Sequence, residues 1–276
     1  MSGRTRPNTM WVGRLSLDFE RSGGRTVISR RRHEGPLLIQ RPFYEPDGAC
    51  QVYLIHPPGG VVGGDCLAYR FEVRDGSRAL VTTPGATKLY RSPRHPSRIE
   101  HDVLSTGTGT FEWLPQETIA FAGAQAEVTT LVRLAQGAQF IGWDITCLGQ
   151  DNRGLPAGLL MQEWHVERGG RSLWRERCRF EGGSEVLSAP WGLAGRTVFG
   201  TLVATGAGAA DVDAVRDACP GSELDWLAVT RLGEILLCRY LGYSAEAARR
   251  SFQAAWAVLR RRLLGRNARP PRVWAT

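Results

Sequence analysis

From about residue 11 to about residue 205 the chain is patterned mostly with period two, and no long helical period interrupts it. Leu67, Tyr69, Phe71 and Val73 alternate with Ala68, Arg70 and Glu72 before Asp75-Gly76 marks a turn, read here as a hairpin closure. ALVTT, TFEWL, AEVTTLVRL, QFIGWDITCL, LLMQEWHVE and SLWRERCRF read as further strands. Successive strands without crossover helices exclude a doubly wound sheet and leave an antiparallel or helically coiled β-structure. The 33 glycines and 15 prolines fit the many turns such a fold needs.

Helix enters late. Residues 211–218, DVDAVRDA, form a short candidate, and SAEAARRSFQAAWAVLRRRLLG a long one near the C-terminus. Ser244 suits the N-cap, Glu246 complements the positive helix start, and Gly265 sits where a C′ glycine belongs. Ala245, Ala248, Phe252, Trp256, Leu259 and Leu263 make one apolar stripe, expected to pack on the β-body. No repeat or low-complexity linker divides the chain. The expectation is a single domain over 1–264 and a flexible Pro- and Arg-rich tail at 265–276.

The net charge of +8 is unevenly placed. Residues 1–32 hold eight arginines against two acids, residues 244–276 eight arginines against Glu246, and the middle is acidic. Basic ends of this kind lack the interleaved aromatics of a stacking platform, so they read as solvated faces or docking surfaces for an acidic protein, not for nucleic acid. The N-terminus has no continuous apolar h-region, and no apolar run approaches a membrane span. Six scattered cysteines without a CxxC argue against a zinc knuckle or disulfide framework. A cytoplasmic protein with reduced thiols is expected.

The stretch HPPGGVVGGD, His56 to Asp65, invites a phosphate-binding reading that fails. A P-loop needs a lysine and a helix after its glycines, and a dinucleotide fingerprint also needs a helix; neither follows Gly64. Instead Gly59, Gly60, Gly63 and Gly64 permit backbone conformations and close approaches denied to other residues. His56 and Asp65 stand at the two ends of this folded segment, and taken alone they read as a core histidine and a turn cap.

HPPGGVVGGD, followed by TTPGATKLYR, FEWLPQETIAF, GRTVFGTL, RYLG and the terminal PPRVWAT, resembles the UreD (UreH) family of urease accessory proteins. The resemblance implies a flattened, helically coiled β-structure with two helices. It implies a non-catalytic scaffold that binds apo-urease with the accessory protein UreF and the GTPase UreG and helps load nickel and carbamate. It also implies a water-filled internal passage for nickel, with no tightly bound cofactor. The family's contact with UreF includes the C-terminal part, which suggests Arg249, Arg260 and Arg261 as partner-binding residues.

Candidates for transient nickel contacts come from residue chemistry and from the resemblance. Gly169-Gly170 suits a two-residue hairpin turn, which would set Glu163 opposite Glu176 and His165 opposite Trp174. Opposed carboxylates with a nearby imidazole suit a divalent cation; the bland alternative is a solvated hairpin face. A slip of one residue would send Glu163 and Glu176 to different sides. Asp144 sits in an apolar strand, where an acid is expensive to bury unless it is paired or faces water. The resemblance adds Asp65 and Glu117, with Asp144, as interior positions. No histidines fall at ligand spacing, so a tight closed site is not expected, and a conduit should hold its ion weakly. The competing class is a stand-alone metal-dependent hydrolase using the same Asp, Glu and His set, but no nucleophile elbow or HExxH helix supports it.

Overall fold

A computed structural model describes residues 11–150, 153–219 and 225–275. The basic run before residue 11 and Thr276 lie outside the described residues. The chain is mainly β, coiled as a β-solenoid of about four turns, with two α-helices. Between Cys50 and Arg168 the longer strands alternate between two sheets. Cys50–Ile55, Arg78–Thr82, Thr110–Trp113 and Gln139–Leu148 lie parallel in the second sheet. Cys66–Val73, Ser97–Ser105, Gln125–Leu134 and Leu159–Arg168 lie parallel in the first.

This coiling overturns the hairpin reading of Asp75-Gly76. Cys66–Val73 pairs with Val12–Ser22 and Ser97–Ser105, whereas the strand after the turn joins the other sheet. Gly76, with φ of 66°, turns the chain across the inter-sheet gap. Period-two alternation reports that one face is buried; it is silent on which neighbour supplies the hydrogen bonds.

Three layers result. One core fills the gap between the sheets, with Phe19, Phe71, Phe111 and Phe140 buried there. A second core lies between the second sheet and the helices α1 (Ala209–Ala218) and α2 (Ala245–Leu264), and includes Trp143, Phe252 and Trp256. The strand Gln139–Leu148 is therefore covered on both faces, which explains its nearly continuous apolar sequence. Ile141, Trp143 and Ile145 face the helices, while Phe140 and Leu148 face the other sheet. Asp144 shares the side of Phe140 and Leu148, so the sequence parity aims its carboxylate between the sheets.

Helix α2 ends as its sequence demands. Ser244 Oγ accepts from Ala247 N–H at 3.1 Å, and Gly265 adopts φ of 64°. Residues 265–275 were expected as a flexible tail, but they pack on the body. Trp274 stacks near Trp143 and Trp256, and its Nε1–H donates to Thr82 Oγ1 at 2.9 Å.

The long hairpin contains the largest departure from expectation. Arg168 does face Arg171, but a β-bulge at Val166/Glu167 leaves Leu173 unpaired and shifts the register by one. Trp164 then faces Glu176, Glu163 faces Arg177, and His165 faces Arg175. Glu163 and Glu176 are consequently on opposite faces. A two-glycine turn fixes register only as far as the first irregularity.

Candidate functional site

The glycine stretch uses each member of its two pairs differently. Gly59 and Gly64 take φ of 72° and 90°, in the left-handed region. A Cβ on Gly60 would meet the Tyr90 ring at 2.2 Å, and one on Gly63 would meet the His95 carbonyl oxygen at 2.7 Å. The loop thus lies flat along its neighbours, and Val61 N–H donates to Lys88 O at 2.7 Å. Asp65 closes it: its Oδ2 accepts from Val62 N–H at 3.0 Å. Gly63→Ala is expected to cost about 1–3 kcal/mol, because the obstacle is backbone. A shifted urea midpoint at unchanged m-value checks this.

The loop delivers His56 to the wall of a cavity between the sheets. This cavity, of about 60 Å³, is lined by His56, Tyr69, His101, Thr130, Gln162 and Asp144, among others. At about 15 Å³ per site it has room for roughly four waters, and its hydroxyl and amide groups give them partners. His101 stacks between Tyr69 and Trp113, and its Nδ1 lies 3.1 Å from Thr130 Oγ1. Burial pushes its pKa down to about 4, so it faces the cavity as neutral imidazole. Burial also lowers the pKa of His56, opposed by the charge of Asp65.

A second cavity of about 510 Å³ adjoins the first, and Asp144, Gln162 and Trp164 line both. Its far wall carries Glu176, Cys178 and Arg239, and its rim includes the exposed Trp191 and Trp226. Asp144 accepts from Trp164 Nε1–H at 2.6 Å and from Thr201 N–H at 3.2 Å. Burial raises its pKa to about 6; the two hydrogen bonds oppose the rise and the nearby Glu176 charge adds to it. At neutral pH it is mostly ionised. Cys178, raised to about 11 mainly by burial, is a thiol at neutral pH.

Of the other acidic candidates, Asp65 caps the glycine turn, and Glu117, Glu163 and Glu176 are each engaged by arginine. Glu176 is held by both Nη groups of Arg239, at 2.9 Å on the Oε1 side. Glu117 Oε2 accepts from Arg249 Nη1 at 2.9 Å. Glu163 borders the first cavity, yet its Oε1 accepts from Arg175 at 2.6 and 2.9 Å on the outer face. His165 lies on that outer face too, 3.2 Å from Ser172 Oγ. The bulge that separates Glu163 from Glu176 removes the opposed carboxylate pair expected from the ideal hairpin. Among the described residues, no three His, Cys, Asp or Glu come together as a metal cluster.

The basic candidates divide as sharply. Arg261 is exposed, and Arg249 is half-buried against Gln116 and Glu117. Arg260 cannot meet a partner: it is fully buried, with Nη2 donating to Glu45 Oε1 at 2.6 Å and Nε 2.9 Å from Glu112 Oε2. Arg266 joins the same network through Glu112 and Asp47, and Trp256 Nε1–H donates to Glu112 at 2.7 Å. Sequence reasoning missed Glu45, Glu112, His101, Gln162 and Arg239. Arg260 carried a readable signal, being four residues after Trp256 on the apolar face of α2.

The fold and site together define a two-sheet solenoid whose apolar interior holds two adjoining cavities, the larger with a carboxylate–arginine pair in its wall, backed by helices that close one face. A family profile described as UreD urease accessory protein matches residues 12–275. Urease accessory protein UreD of Alkalilimnicola ehrlichii is 42% identical, with 96% of this chain and 92% of the relative covered. Urease accessory protein UreD 2 of Brucella anthropi is 40% identical over 98% of this chain and 100% of its own length. The Azoarcus sp. UreD is 42% identical over 96% and 94%. The chain belongs to the UreD urease accessory protein family. No helix among the described residues is long and apolar enough to cross a membrane.

Proposed function

We propose that this protein is a non-catalytic nickel-delivery scaffold of the cytoplasm, acting with UreF, UreG and apo-urease, and that nickel(II) travels through its interior. The supporting observation is the pair of adjoining cavities between the sheets, largely apolar but with Asp144 in the wall of both. An ionised carboxylate there attracts a dication and disfavours anions, while hydroxyls, amides and neutral imidazole offer weak, replaceable contacts. Transient passage requires that no single position bind too deeply.

The test is activation of apo-urease by the co-purified complex with nickel, bicarbonate and GTP. Asp144→Asn is expected to lower activation about tenfold, equivalent to roughly 1.4 kcal/mol on the passage, with UreF binding unchanged. Activation at the wild-type level, at equal complex yield, would refute the conduit. Asp65→Ala is a poorer probe, because Asp65 caps the glycine turn and its loss acts through the fold.

A further inference from the structure

Among the described residues, Arg239 and Arg260 each bond both oxygens of a glutamate, and their surroundings differ. Arg260 is sealed, with a side chain 0% exposed. Arg239, on Ile235–Gly242, lies at the wall of the larger cavity with its side chain 41% exposed. Its two Nη groups cover both oxygens of Glu176, leaving that carboxylate fully occupied. Asp144, on the same cavity wall, is bonded by no arginine among the described residues; it accepts from the Trp164 indole and the Thr201 backbone N–H. Asp144, Glu176 and Arg239 together leave one excess negative charge at this wall when ionised.

A guanidinium in this position repels a divalent cation and occupies the ligand that the cation would use. The cavity beside it, about 510 Å³, gives the side chain space to withdraw. Building on the conduit reading, we propose that Arg239 is an exchangeable counter-ion: a divalent cation crossing the larger cavity displaces its guanidinium from Glu176, and the fork closes again behind it. The exchange trades one ion pair for another, so Glu176 is never left unpaired in a low-dielectric setting. Arg239 is thereby a positioning and selectivity residue, holding the passage closed to weakly attracted monovalent ions.

Equilibrium dialysis of the full chain against nickel(II) tests this without urease. Arg239→Gln is expected to bind nickel at this site about tenfold more tightly than wild type, with the number of ions per chain unchanged. In the double variant Arg239→Gln/Glu176→Gln that gain should vanish. No gain in Arg239→Gln, or a gain that survives loss of the Glu176 charge, overturns the proposal. If Arg239→Gln does not fold by circular dichroism, Arg239→Lys decides: it keeps the charge but loses the fork, so it should bind nickel more tightly than wild type, and equal binding overturns the exchange. The two readings fail separately. Normal activation by Asp144→Asn beside a nickel gain in Arg239→Gln would sink the conduit and keep the exchange. Impaired activation without that gain would do the reverse.

Discussion

Arg260→Leu is expected to destabilise the fold by about 3–5 kcal/mol, a large share of the roughly 5–15 kcal/mol that holds a typical domain together. The reason is the company it leaves. Arg260 and Arg266 face Glu45, Glu112 and Asp47, and Arg78 lies 3.7 Å from Asp47. The set is balanced in charge and mostly buried. Removing one guanidinium leaves the buried Glu45 and Glu112 to share Arg266, which lies 3.4 Å from Glu45 and 3.1 Å from Glu112, so one buried carboxylate charge is left uncompensated. Arg260→Met/Glu45→Gln should recover part of the loss, since it removes a charge together with its partner. Arg261→Leu, one residue along and exposed, should stay within about 0.5 kcal/mol of wild type. Urea unfolding of the three variants checks this; equal stability of Arg260→Leu and Arg261→Leu would show that the network contributes nothing.

The second large effect is a dependence on pH traceable to Asp144. Its pKa is about 6 in the fold, against about 3.9 in an unfolded chain, so the native state binds the extra proton between those values. Stability contributed by the neutral acid is fully present below about pH 4 and is lost as pH rises through about 6. Two pH units correspond to roughly 3 kcal/mol. Asp47 and Asp211, where burial is outweighed by arginine contacts and backbone N–H groups that together hold the carboxyl below the ordinary carboxylate range, act in the opposite sense and mask this in the wild type alone. The measurable quantity is the difference between wild type and Asp144→Asn. Wild type should gain on the variant as pH falls from 7 towards 4.5, by about 2 kcal/mol. Parallel stability curves would place the Asp144 carboxyl in an ordinary aqueous environment. The same titration leaves Asp144 charged at neutral pH, where attraction of a dication requires it.

The fold was legible wherever local pattern and burial coincide. The six quoted strand segments overlap strands in the structure, and α2 begins and ends at the cap residues read from the sequence. The inward aim of Asp144 follows from alternation along one apolar strand. Long-range partners were not legible. Glu176 meets Arg239 across 63 residues, and Arg260 meets Glu45 across 215, distances over which periodicity carries no information. The bulge at Val166/Glu167 defeated the hairpin register because SLWRERCRF reads as a regular strand in either frame. The segment 265–275 was misread for a related reason. Arginine and proline are the residues of a solvated tail unless acids elsewhere in the chain receive the arginines, as Glu112 and Asp47 do for Arg266.

The closure of Glu45 by Arg260 also has a bearing on biosynthesis. At roughly 5–20 residues per second, a ribosome takes about 10–40 s to add the 215 residues between them. Throughout that interval the nascent coil carries acidic side chains whose eventual counter-ions do not yet exist. Its first turns are held by strand pairing and the inter-sheet core, and the contacts of Glu45 with Arg260 wait for the late helix to arrive and dock.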